Sequence, residues 1–385
     1  MQHEKVQKII TYCAALLLIL ASASAWAQSS ERLQKDEEER QRDEKPQRNI
    51  YRQGADRFAE SAHLEQTNAQ TWFNYYSSAR FGAYSKTSNV IDATEQNELD
   101  SIVLAMEDNV PHSYEYHYVK YWNGRYDPAL FNHLETAAQL RPNSVELYDD
   151  FIAHYEISGQ DKKKDEYCKK WHAAGAISNE VYSYNRNVLV GLPRNAILIT
   201  NGETDTYPLW ILQSVENVRP DVQVLNLNLL QRDGYRTKRL HELGLKSSTA
   251  YDVANPKHFL LDLGQQNPQA RLHLGLTVAP AILTYLQHNL YLTGLAFEYS
   301  DNGVDNLAQL EKNWEKKFDL DYLDQRTPDD ESARLHMNYV LPAVLLHQHY
   351  TDEGNSAKTN ELKALVEQVA KQAGRSEEVA PLLRR

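Results

Sequence analysis

The chain has 385 residues, with 53 acidic against 41 basic side chains and a formal charge of -12. Binding to a phosphate backbone needs clustered Lys and Arg to displace counterions, so this balance argues against nucleic acid as a partner. Past the first residues no stretch approaches the roughly 20 apolar residues that span a bilayer. The length allows two domains, or one domain with a helical extension.

Residues 1–27 read as a cleavable secretory signal peptide. Lys5 and Lys8 precede an apolar stretch from Ile9 to Leu20, and small residues then lead to Ala25-Trp26-Ala27. The stretch is too short for an anchor, and polar residues follow at once. Cleavage near Ala27 is expected to leave a periplasmic or secreted mature chain without a membrane span. No cysteine adjoins the cut, and loss of Cys13 leaves Cys168 as the one thiol, so an intramolecular disulfide is excluded. Cys168 lies between Tyr167 and Trp171 and reads as packed rather than reactive. Residues 28–48 interleave both signs of charge (Glu37, Glu38, Glu39, Arg40, Arg42, Asp43) and read as a solvated charged linker.

From 49 to 191 the apolar residues recur at helical spacing, in pairs of segments separated by short breaks. Leu99, Ile102, Val103 and Met106 form one stripe behind an Asp92-to-Glu95 capping box. Pro128 opens a second segment carrying Leu130, Phe131, Leu134 and Ala137, and Pro142-Asn143 is expected to start its partner, which Gly159 ends. Helix pairs recurring at about 30 to 40 residues suggest a solenoid in which each unit leans on the next, and the region resembles degenerate tetratricopeptide repeats in architecture alone. Tyr114, Tyr116, Tyr118, Tyr121, Trp122 and Tyr126 crowd one helix. Core packing explains them better than a sugar- or peptide-stacking face.

Residues 192–303 read as a small Rossmann-like parallel α/β domain. Asn195 to Thr200 is a short apolar run and hence a buried strand; a helix fits Thr206 to Glu216, and a second strand Val222 to Leu227. That unit forms a right-handed crossover. Helices around Arg239 and Phe259, a strand near Leu272 to Thr277, a helix from Ala279 to His288 and a last strand near Leu290 to Phe297 complete a sheet of about four strands. Residues 304–385 return to helices. Ala333, Met337, Val340, Leu341, Val344 and Leu345 form one stripe, Leu362, Leu365, Val366, Val369 and Ala370 another, giving a closing hairpin. The fold class is therefore α/β plus all-α: a tetratricopeptide-like helical array, a small α/β domain and C-terminal helices.

No GxSxG elbow, GxxxxGK[ST] loop, GxGxxG turn or HExxH helix is present. One segment stands out, Thr200-Asn201-Gly202-Glu203-Thr204-Asp205-Thr206-Tyr207-Pro208, at the carboxyl end of the first strand, where open parallel sheets bind ligands. It is acidic and oxygen-rich, so it repels phosphate. Asn201, Glu203, Asp205 and Thr206 are the candidate ligand-binding residues, with Asn228, Asp233 and Tyr235 from the second strand's end facing the same crevice. No motif calls for a cofactor; the one this loop admits is a hard divalent cation on Glu203 and Asp205. The competing reading is structural. Asn-Gly makes a turn, Thr206 caps the helix, Pro208 fills its first turn, and the carboxylates complement the helix dipole.

The stretch Asn-Gly-Glu-Thr-Asp-Thr-Tyr-Pro-Leu-Trp over 201–210, with Arg219-Pro220-Asp221-Val222, Asn226-Leu227-Asn228 and the later Leu290-Tyr291-Leu292-Thr293-Gly294-Leu295-Ala296, resembles the soluble tail of bacterial multi-spanning membrane proteins related to protein O-mannosyltransferases. The likeness covers residues 195–300. Asn201 and Asp205 match that family's acidic turn, whereas Glu203, Thr204 and Gly234 depart from it. The resemblance implies a shared fold, while the family's transfer chemistry belongs to a membrane half that is missing here. The expectation is an exported, non-catalytic binding or scaffold protein with an envelope protein or glycan as partner, linked to envelope glycosylation. The alternative is an enzyme, or enzyme subunit, acting on glycans or glycoproteins through the acidic loop 201–206.

Overall fold

A computed structural model of the chain describes residues 50–84, 91–252, 256–324 and 329–383. The signal peptide and charged linker expected over 1–48 lie outside the described residues. Contacts divide the chain into two compact units that part in sequence between Tyr167 and Cys168. This division falls earlier than Gly191, where the sequence pattern changes from helical to strand-like.

The first unit is helical: α1 over 50–64, α2 Ala69–Tyr84, α3 Ala93–Asn109, α4 Tyr114–Asn123, α5 Phe131–Leu140, α6 Tyr148–Ser158 and the start of α7 Asp161–Ala174. The capping box at the head of α3 is present. Asp92 Oδ1 accepts from the Glu95 N–H at 2.9 Å, and Glu95 Oε2 accepts from the Asp92 N–H at 3.4 Å. Leu99, Ile102, Val103 and Met106 then pack on Trp72, Tyr76 and Tyr116. A second cluster joins Tyr114, Tyr118 and Tyr121 to Leu134, Leu147, Phe151 and Tyr155. The tyrosines of α4 are thus core residues, as the repeat-like pattern suggested. Pro142-Asn143 does not itself begin a helix. Asn143 takes a left-handed backbone (φ 63°), and a 3-10 turn over Val145–Leu147 intervenes before α6 starts at Tyr148. Gly159, at φ 70°, ends α6 where a side chain would be strained.

The second unit begins in α7 and continues with α8 Asn179–Gly191, β1 Ile197–Thr200, α9 Tyr207–Glu216, β2 Gln223–Asn226, the single turn α10 Leu227–Leu230, α11 Asp233–Glu242, α12 Lys257–Gln266, β3 Leu272–Gly275, α13 Pro280–Tyr285, β4 Leu290–Leu292 and β5 Ala296–Tyr299. Five strands form one sheet in the order β2-β1-β3-β5-β4. β1 pairs in parallel with both neighbours, Leu198 lying opposite Val224 and His273. All four β1 residues are buried, as befits a strand covered on both faces. The parallel sheet of about four strands is corrected at one end. The run Leu290 to Phe297 is two strands, β4 and β5, joined at Thr293-Gly294-Leu295, and β5 lies antiparallel to β3 and to β4. Continuous apolar character hid the reversal, because both strands are buried.

The C-terminal helices are α14 Asn306–Lys316, α15 Asp330–His336, α16 Val340–Asp352, α17 Ser356–Gln372 and α18 Ser376–Val379. Ala333, Met337, Val340, Leu341, Val344 and Leu345 are all buried, but a 3-10 turn at Met337–Tyr339 splits their stripe between α15 and α16. Buried amides and one guanidinium lock the unit. Asn187 donates to the Tyr339 hydroxyl and the Asp319 carbonyl, both at 2.7 Å. Asn313 donates to the carbonyls of Gly191 at 2.9 Å and Thr293 at 2.5 Å. A Cβ on Gly294 would lie 3.2 Å from the Asn313 amide nitrogen, so this approach relies on glycine. Asn306 donates to the Leu292 carbonyl at 3.0 Å, sealing β4 beneath α14. Arg219 reaches the carbonyls of Leu189, Leu192 and Pro193 at 2.7–3.0 Å while pairing with Asp221.

His273, in the middle of β3, is fully buried, and its Nδ1 lies 2.9 Å from the Arg271 carbonyl. Burial pulls its pKa down to about 4. Its unfolded value is about 6.5, so its contribution is complete above that pH and is lost as pH falls towards 4. Stability measured by urea unfolding is expected to drop by roughly 2 kcal/mol between pH 7 and pH 4 on this account. In His273→Leu that segment of the pH profile is expected to flatten, and an unchanged slope would contradict the assignment.

Candidate functional site

Because β2 and β3 flank β1 on opposite sides, the crossover from β1 to β2 and the one from β2 to β3 run in opposite directions across the sheet. A crevice then forms outside the carboxyl ends of β1 and β3, between residues 201–206 and 276–279. The acidic loop occupies this position, as its sequence suggested.

Within the loop, Asp205 turns inward and is only 4% exposed. Its Oδ2 accepts the Asn201 N–H at 2.9 Å and the Thr277 hydroxyl; its Oδ1 accepts the Gly202 N–H at 2.7 Å. Burial pushes the carboxyl above its ordinary pKa, and the bonds from Asn201, Thr277 and Gly202 pull it back. One side chain thereby closes its own loop and ties it across the sheet to the end of β3. Thr206 is fully buried beside it. It occupies the N-cap position of α9 without making a side-chain cap bond, because its hydroxyl donates instead to the Gly202 carbonyl at 2.5 Å. The same oxygen accepts Asn226 Nδ2 at 2.8 Å and lies 2.8 Å from the Thr200 hydroxyl.

The remaining candidates are spread around this centre. Asn201 is half-buried, and its carbonyl accepts Asn228 Nδ2 at 3.0 Å. Asn228 is exposed and stitches the two loops together by that bond. Glu203 is exposed by surface area. Crowding by the surrounding protein, and then the Glu331 carboxylate, raise its pKa. Asp233 is exposed at the start of α11 and pairs with Arg236 of the same helix at 2.5 Å. Tyr235 is buried, 3% exposed. Asn201, Asp205, Thr206 and Asn228 are therefore joined in one network, whereas the Asp233 carboxylate is engaged within its own helix.

Among the described residues no three His, Cys, Asp or Glu side chains converge as metal ligands. The Asp205 oxygens face N–H and O–H donors, an environment that competes with a cation for the same lone pairs. Thr200, Asn226, Thr277 and Asn185 complete the network and were not among the candidate binding residues. Thr200 and Asn226 sit opposite each other as the last residues of β1 and β2, so a polar residue closing each apolar run was a usable signal. Thr277 follows Asp205 by 72 positions, and nothing local marks it.

Residues 181–250 match the family described as TMEM260-associated domain 2, a segment that runs from α8 through β1, α9, β2 and α11. No curated protein and no solved structure matches the chain.

Asp205→Ala removes the acceptor of three donors in a buried setting. It is expected to lower stability by roughly 2–4 kcal/mol in urea titration. Asp205→Asn is expected to lower it as well, because an amide NH2 then faces donors. A loss below about 0.5 kcal/mol, the range of ordinary surface substitutions, would mean the carboxylate is not what closes the loop.

Proposed function

We propose that this chain is an exported, non-catalytic binding or scaffold protein, whose repeat-like helices and Rossmann-like α/β domain serve an envelope protein or glycan partner in envelope glycosylation. The observation that carries the reading is the engagement of Asp205. An acid or base in catalysis needs a carboxyl oxygen free to exchange a proton with substrate. Here both oxygens are committed to backbone and side-chain donors. Glu203 stands exposed with the Glu331 carboxylate of α15 near enough to act on it, and is the loop carboxylate that an enzymatic reading would have to use. The match to a TMEM260-associated domain overlaps the segment that resembles the tails of O-mannosyltransferase-related membrane proteins, which supports an envelope setting for the partner.

The test uses the full chain, tagged at its C-terminus and crosslinked in intact cells. The exported form is expected to begin after Ala27 on N-terminal sequencing. It is expected to crosslink reproducibly to one envelope glycoprotein, and equally well as Glu203→Gln. A glycan-cleaving or glycan-transferring activity that Glu203→Gln abolishes, with unfolding behaviour unchanged, would replace this reading with the enzymatic one.

A further inference from the structure

Where α8 crosses the carboxyl ends of β1 and β3, the crevice narrows to a cavity of about 10 Å³. That is near the smallest volume able to hold one water molecule, about 10–15 Å³. Tyr184, Asn185, Thr200, Asp205, Gly275 and Thr277 contribute to its wall, together with aliphatic side chains. Asn185 is fully buried. Its NH2 donates to the carbonyls of Val181 at 2.8 Å and Thr204 at 2.9 Å, which fixes the orientation of the amide. Its Oδ1 is left without a hydrogen-bond partner among the described residues.

The hydrogens on the neighbouring threonine hydroxyls are already committed. Thr206 donates to the Gly202 carbonyl, so Thr200, 2.8 Å from Thr206 Oγ1, is the donor of that pair. Thr277 donates to Asp205, while the Tyr184 oxygen accepts from the Asn338 amide. The threonines of the wall therefore offer acceptors and no spare donors. A buried acceptor left bare is costly, so the cavity selects a small ligand with two hydrogens to give.

We propose that one ordered water molecule is a resident ligand of this cavity, donating to Asn185 Oδ1 and to the acceptors around Asp205 and Thr277. It joins α8 to the sheet and fills the place where a ligand of an open α/β sheet would enter. Recognition by this unit then uses its outer surface, a conclusion that goes beyond the partner reading above and stands without it.

Two measurements test this. A crystal structure of the exported chain is expected to show one density peak at about 2.7–3.2 Å from Asn185 Oδ1. No peak, or a peak with several oxygens at about 2.4 Å as around a bound cation, would overturn the proposal. The second is the melting temperature of Gly275→Ala. The added Cβ enters the cavity wall 3.2 Å from Thr277 Oγ1 and 3.6 Å from the Ile199 carbonyl. Expulsion of a bound water is expected to lower the melting temperature by several degrees. A dry cavity would be filled by the methyl group, and a rise in melting temperature would decide against the water.

Discussion

A carboxylate buried at the end of a parallel sheet is tolerated only if donors surround it, since an unpaired charge in that setting costs several kcal/mol. In this protein the requirement falls on Asp205, and much of the second unit's geometry follows from meeting it. The turn of 201–206 must present two backbone N–H groups to one side chain. The end of β3 must bring a hydroxyl to the same point, and the Thr200–Thr206–Asn226 chain must hold the loop's inner face. The acidic loop that looks like a ligand site in sequence spends its buried carboxylate on closing its own turn.

The same bonding bears on the resemblance carried by residues 201–210. Asn201 and Asp205, the two residues shared with that family's acidic turn, are a pair in which the backbone of one donates to the side chain of the other. That bonding accounts for Asp205, whose carboxylate it uses, but takes only the backbone of Asn201. The departures at Glu203 and Thr204 fall on positions whose side chains the closed turn does not use for that bonding. Fold and chemistry thus come apart at single residues, as they do wherever a site and its scaffold occupy the same loop.

Local patterns carried most of the fold. Capping at Asp92, the apolar runs that became β1 and β2, and the stripes of the C-terminal hairpin are all short-range signals that packing then reinforced. Two features escaped because their cause is long-range. The hairpin β4–β5 reads as one strand, since a buried turn of Thr293-Gly294-Leu295 shows no break in hydrophobicity. The sheet's change from parallel to antiparallel depends on where that hairpin docks. At the site, Asp205 and its neighbours were legible as a group. Their orientation was not, because Thr277 and Asn185 reach the loop from distant parts of the chain and decide which way the carboxylate faces.

The seal over β4 has a consequence for the protein's life at high local concentration. An outermost strand displays unpaired backbone groups that invite a second copy to add on and extend the sheet. Here Asn306 and Asn313 occupy the carbonyls of Leu292 and Thr293, and α14 lies against the strand. One carbonyl of β4 and one of the turn that follows it are thereby taken by side-chain amides, which leaves a second copy less of this edge to pair with.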